Sequence, residues 1–63
     1  MPVVTIEMWE GRTVEQKRKL VRGVTSAVAE AIGCPEEAVE VVIHELPKVN
    51  WGVGGELASD KFP

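Results

Sequence analysis

Between residues 13 and 32 apolar side chains recur every three or four positions, and a β-branched run stands on either side of that stretch. Leu20, Val21, Val24, Ala27, Val28, Ala31 and Ile32 form one broad apolar stripe, with Lys17, Arg18, Arg22 and Glu30 mainly opposite. Thr13 followed by Gln16 has the spacing of a capping box, so a helix starts there. Gly33 supplies a C-cap and Pro35 prevents continuation. The spacing predicts a helix over about 13 to 32, roughly 30 Å long. Val3 to Trp9 reads as a strand before it, and Glu10-Gly11-Arg12 as the turn between. A second strand is expected over 38 to 45, closed by Pro47. A connection through a helix of this length makes the two strands parallel and the crossover right-handed.

Such a unit is an incomplete layer. One helix covers one face of a two-stranded sheet, and the other face and both edges need partners. The fold class is therefore α+β, a single domain over 1–63 built as a β-α-β protomer. Asn50 to Gly55, with three glycines, reads as a tight loop or small hairpin in which Trp51 and Val53 are the only apolar side chains. The tail from Glu56 to Pro63 holds too little apolar material to fold alone. A chain of 63 residues buries only about 60% of its unfolded surface. Its single cysteine excludes an intrachain disulfide, and one cysteine with one histidine is a poor structural zinc set, so no metal is expected. With 44% hydrophobic residues, the remaining route to stability is association. Two copies joined edge to edge give a four-stranded sheet with helices on one side. Several such dimers then bury the bare faces against each other.

The net charge of −3, with no basic stripe interleaved with aromatics, argues against nucleic acid as a partner. The run Lys17-Arg18-Lys19 with Arg22 reads as a solvated helix face. No stretch approaches the roughly 20 apolar residues of a membrane span, and no secretory h-region follows a basic start. The lone thiol fits a reducing compartment, and a cytoplasmic location is the expectation.

Pro2 follows the initiator methionine, and a small residue there favours removal of Met1. Pro2 would then carry a free secondary amine, whose basicity neighbours can tune toward neutral pH. If Met1 stays, the Pro2 nitrogen is an amide and cannot act as a base. Pro2, the run Glu10-Gly11-Arg12-Thr13 with Glu15-Gln16-Lys17, and Gly52-Val53-Gly54-Gly55-Glu56-Leu57-Ala58-Ser59 stand in the order and spacing of one family. The chain resembles the 4-oxalocrotonate tautomerases over nearly its whole length. That resemblance implies paired protomers, usually a trimer of dimers and sometimes a mixed hexamer with a second chain. It implies an isomerase without cofactor, acting in the catabolism of aromatic compounds.

By the same resemblance, Pro2 is the general base that moves a proton between carbons of an unsaturated 2-hydroxy or 2-keto acid. Arg12 matches the arginine that grips a substrate carboxylate, a task suited to a two-point guanidinium fork. Trp51 falls where the family carries an aromatic pocket wall. Val3, Trp9 and Leu46 fall at other pocket-side positions, with Trp9 bulkier than the usual leucine. The glycines from Gly52 to Gly55 read as architectural, near where strands of different subunits meet. His44 reads as a strand residue at the assembly surface, and Cys34 as a turn residue rather than a nucleophile.

Glu40 departs from the pattern, standing where the best-known members carry a second arginine that polarises the substrate oxygen and helps bind a carboxylate. An anion there opposes build-up of enolate charge and raises the pKa of a nearby amine. Three accounts follow: a substrate anchored mainly by Arg12, a second chain that supplies the arginine, or a Glu40 that points away and pairs with a cation. Two other readings remain: a proline-dependent hydratase or dehalogenase, whose carboxylate Glu40 does not match in position, and a non-catalytic assembly protein. An active protein is expected to keep an open cavity faced by Pro2 and Arg12. A non-catalytic one is expected to close it or to tie Glu40 to Arg12.

Overall fold

The computed structural model describes every residue from Met1 to Pro63. Strand β1 (Val3–Trp9) leads into helix α1 (Val14–Ile32), and strand β2 (Glu40–Leu46) returns parallel to β1. The register runs from Val3 opposite Glu40 to Trp9 opposite Leu46. Two-residue strands β3 (Gly52–Val53) and β4 (Glu56–Leu57) form an antiparallel hairpin, and a one-turn helix α2 (Ala58–Lys61) ends the chain. No helix is long and apolar enough to cross a membrane.

The first helix begins as the sequence demands. The Gln16 N–H donates to the Thr13 hydroxyl at 3.1 Å, and the Thr13 N–H donates to the Gln16 side-chain oxygen at 2.9 Å. At the other end Gly33 takes the left-handed conformation, φ 72°, that glycine adopts without strain. Replacing Thr13 with Ala removes one half of this reciprocal cap. The expected cost is about 1 kcal/mol, read as a lower unfolding midpoint in denaturant. An unchanged midpoint would show that packing alone sets this terminus.

The second strand starts later than expected and ends later. Residues 36 to 38 form a 3₁₀ turn, and the N–H groups of Ala38 and Val39 donate to the carbonyls of Pro35 and Glu36. Those amides are thus spent on the turn and cannot join the ladder, so Ala38 lies outside the strand. Pro47 has no N–H to continue the ladder, and the strand ends at Leu46, whose carbonyl accepts the Glu10 N–H at 3.0 Å.

Alternation sorts the sheet into two faces. Val4, Ile6 and Met8 of β1 with Val41 and Ile43 of β2 are half-buried on the helix side, while Val3, Thr5, Glu7, Glu40, Val42 and His44 are exposed on the other. Along α1, Leu20, Val24 and Val28 are half-buried, but Val14, Val21 and Ile32 on one flank of the stripe, Ala27 on the other and Ala31 at its C-terminal end remain exposed. The sheet covers the centre of the apolar face and leaves both margins bare. Lys17 departs from the solvated role expected of it. It is half-buried in line with Leu20 and Val24 and bonds Glu45 at the end of β2 at 2.5 Å.

The tail is also more ordered than its composition suggests. Gly54 and Gly55 both have positive φ, 61° and 88°, which a two-residue hairpin turn of matching twist requires. The Ala58 N–H donates to the Trp51 carbonyl at 2.7 Å, and Ala58 is the only fully buried residue of the chain. The segment folds because it docks, with Phe62 against Trp9 at 5.6 Å between ring centroids.

One chain by itself is spread thin. Its Cα radius of gyration is 14.6 Å, against about 10.6 Å for a compact domain of this length. Its accessible surface is 4557 Å², against roughly 4,000 Å² for a folded monomer of this mass.

Candidate active site

The expected site residues fall into two groups at opposite ends of the sheet. Pro2 and Glu40 share the first end. Pro2 is half-buried, and its carbonyl accepts the Glu40 N–H at 3.0 Å. Met1 is 84% exposed, so nothing in the chain shields the Met1–Pro2 bond. While Met1 is present the Pro2 nitrogen is a tertiary amide with no basic lone pair. Glu40 lies opposite Val3 on the face away from the helix, exposed, and no cation of the chain pairs with it. The account in which Glu40 is neutralised by a lysine or arginine therefore finds no partner within one chain, and the Glu40–Arg12 tie expected of a non-catalytic protein is not formed.

Trp9, Leu46, Trp51 and Arg12 belong to the other end. Trp9 and Leu46 are direct neighbours in the register. Trp51 follows a 3₁₀ turn over residues 48 to 50 and meets Trp9 edge to face, 5.9 Å between centroids at 76°. Such an arrangement suits the ring quadrupoles. The Trp9 Nε1 is buried without an acceptor. Arg12, in the turn after β1, is exposed and has no carboxylate partner. With Ile6, Met8, Gln16, Lys17 and Leu20 it lines a recess of about 360 Å³ on the helix side of the sheet.

A seven-residue strand separates the two groups, roughly 23 Å at about 3.3 Å per residue. Within one chain no cavity is faced by both Pro2 and Arg12, so the open cavity expected of an active protein would have to form between chains. The larger recess, about 930 Å³ between α1 and the 36–39 turn, contains none of the expected site residues. The remaining candidates behave as structural residues. The His44 Nδ1 lies 2.8 Å from a Glu7 oxygen on the exposed sheet face, and Cys34 is half-buried just after the helix cap.

Residues 2–61 match the profile of the family described as "Tautomerase enzyme". The chain belongs to the tautomerase family. It is 52% identical over 60 residues to the 2-hydroxymuconate tautomerase of Bacillus subtilis (strain 168), covering 95% of this chain and 97% of that relative. A solved 4-oxalocrotonate tautomerase isozyme from Methylibium petroleiphilum superposes with a TM-score of 0.93 at 48% identity, over 98% of this chain and 100% of the other. A heterohexamer 4-oxalocrotonate tautomerase from Chloroflexus aurantiacus J-10-fl superposes at 0.91 with 38% identity, over 95% and 97%. The resemblance read from the sequence and the β-α-β fold of the chain are thereby established.

Lys48 was not singled out by sequence reasoning. Its ammonium sits 4.9 Å from the centroid of the Trp9 ring and donates to the Phe62 carbonyl at 2.5 Å. A lone lysine after a proline carries no local signal. Its place beside Trp9 depends on how the tail folds back.

Proposed function

We propose that this tautomerase moves a proton within an unsaturated 2-hydroxy or 2-keto acid. Pro2, freed of Met1, acts as general base, Arg12 anchors a substrate carboxylate, and Trp9, Leu46 and Trp51 form the pocket wall. The reading rests above all on the match to the tautomerase family over residues 2–61, and the separation of Pro2 from Arg12 along β1 bears on how the site is assembled. If both serve one substrate, they come from different chains. β1 has a neighbour on one edge only. A second copy running antiparallel along the free edge sets the start of one β1 beside the end of the other. The bare sheet face, the uncovered helix margins and the large surface of the lone chain all support such an assembly.

Catalysis on this scheme uses groups of the assembled chains. An unprotonated Pro2 amine takes a proton from the substrate hydroxyl or carbon and returns one at another carbon, while Arg12 holds the carboxylate and limits tumbling. The aromatic wall keeps water away and lowers the local dielectric, which favours a neutral amine.

Two measurements test the frame. Intact-mass determination is expected to show a chain lacking Met1, and retention of Met1 would remove the base. Sedimentation at micromolar concentration is expected to give about six times the mass of one chain, and a monomer would contradict a shared site. The unpaired Glu40 favours one variant of this reading. The Chloroflexus relative is a heterohexamer, and a mixed assembly here lets a second chain bring the cation that Glu40 displaces.

A further inference from the structure

The geometry points to Lys48 as a second carboxylate-binding cation beside the aromatic wall, one that gives this protein a preference for dicarboxylates despite Glu40. The inference rests on the pocket assignment made above for Trp9, Leu46 and Trp51.

Lys48 stands apart from the other cations of the chain. Lys17, Arg18, Arg22 and Lys61 each have a carboxylate within ion-pair distance. Arg12, Lys19 and Lys48 have none, and of these only Lys48 is half-buried. Its Nζ rests over the Trp9 ring and gives one N–H to the Phe62 carbonyl. An ammonium has three donors. A ring face and a neutral carbonyl attract the charge without cancelling it. Two donors and the full charge therefore stay available at the rim of the Trp9–Trp51 pair.

The fold also holds that charge in place. Lys48 opens the 3₁₀ turn that follows Pro47, and its tip is fixed by the docked tail. A cation placed in advance against apolar rings loses little freedom on meeting an anion. The ligand chemistry that suits it is a carboxylate on an apolar, unsaturated body, with the body on the tryptophans and the anion on Nζ. Lys48 takes one carboxylate of such a substrate, and an Arg12 of the assembled site takes the other.

Both tryptophans of the chain lie in this cluster, so intrinsic fluorescence reports occupancy without turnover. The test titrates the assembled, Met1-processed protein with adipate and with hexanoate. These unreactive acids share a chain length and differ by one carboxylate. Lys48→Gln keeps a donor for the Phe62 carbonyl and removes the charge. It is expected to weaken adipate about tenfold and hexanoate hardly at all, while Lys48→Arg stays within about threefold of the parent for both. Sedimentation confirms that each variant assembles as the parent does. Unchanged adipate binding by Lys48→Gln would overturn the inference, and so would an equal loss for both acids, which marks a purely structural lysine. Turnover is measured separately on an enol diacid and its monoacid analogue. If the parent turns over neither, the tautomerase reading fails while the binding comparison still decides the role of Lys48.

Discussion

Pro2→Ala is expected to lower kcat by about 10²- to 10⁴-fold, the range that a positioned general base contributes. The fold should survive the change. The Pro2 carbonyl, not its ring, holds the Glu40 amide, and alanine retains that carbonyl. Alanine also leaves an N-terminal amine after processing, so the residual rate measures what the cyclic secondary amine adds. Full activity in Pro2→Ala would eliminate Pro2 as the base. Arg12→Ala is expected to act differently, chiefly raising KM, because an exposed cation that anchors a carboxylate contributes to binding in both ground and transition states. The decisive experiment mixes the two defective chains. If every site takes Pro2 from one chain and Arg12 from another, random co-assembly leaves about a quarter of the sites intact. Recovery to about that fraction of parent activity is expected. A mixture no better than its components would show that both residues act within one chain, against the separation imposed by β1.

Local chemistry explains which parts of the fold were legible in the sequence. Thr13, Gln16, Gly33 and Pro35 act on their immediate neighbours, and the helix ends where they place it. Pro47 ends the second strand for the same reason. The start of that strand was misplaced because Val39 is a good strand residue, while a turn uses its amide and that of Ala38 first. The tail was harder still. Its order comes from Phe62 reaching Trp9 across the chain, a contact that no pattern within residues 56 to 63 encodes. The site divided in a similar way. Pro2, Arg12 and Trp51 could be picked out by their motif, but their separation along β1 emerges only once the strand is laid out. Lys48 had no motif at all and is distinguished by a tertiary position.

Glu40→Arg is expected to raise kcat/KM for an enol diacid at least about tenfold, with Glu40→Gln falling between it and the parent. The backbone bond from Glu40 to Pro2 places this residue beside the end of the chain where the base is generated. Its carboxylate is exposed and has no countercharge in the chain, so its field is weakened by solvent but not cancelled. Two effects then point the same way. An anion near the Pro2 amine stabilises the protonated form and raises its pKa, which leaves less free base at neutral pH. Removing the anion should move the acidic limb of the rate profile to lower pH, and a guanidinium should move it further. An anion near the reacting oxygen also opposes the negative charge that develops there, whereas a guanidinium stabilises it. The pH profile separates the two contributions. A gain confined to the acidic limb reports the amine, and a gain persisting on the high-pH plateau reports the oxygen. The parent chain alone also discriminates between assemblies. If it is nearly inactive and Glu40→Arg restores turnover, a cation absent from the homomer was the missing element, as expected of a chain that works in a mixed assembly. If Glu40→Arg leaves the rate unchanged or lowers it, residue 40 does not face the substrate, and specificity then rests with Arg12 and the tryptophan wall at the other end of the sheet.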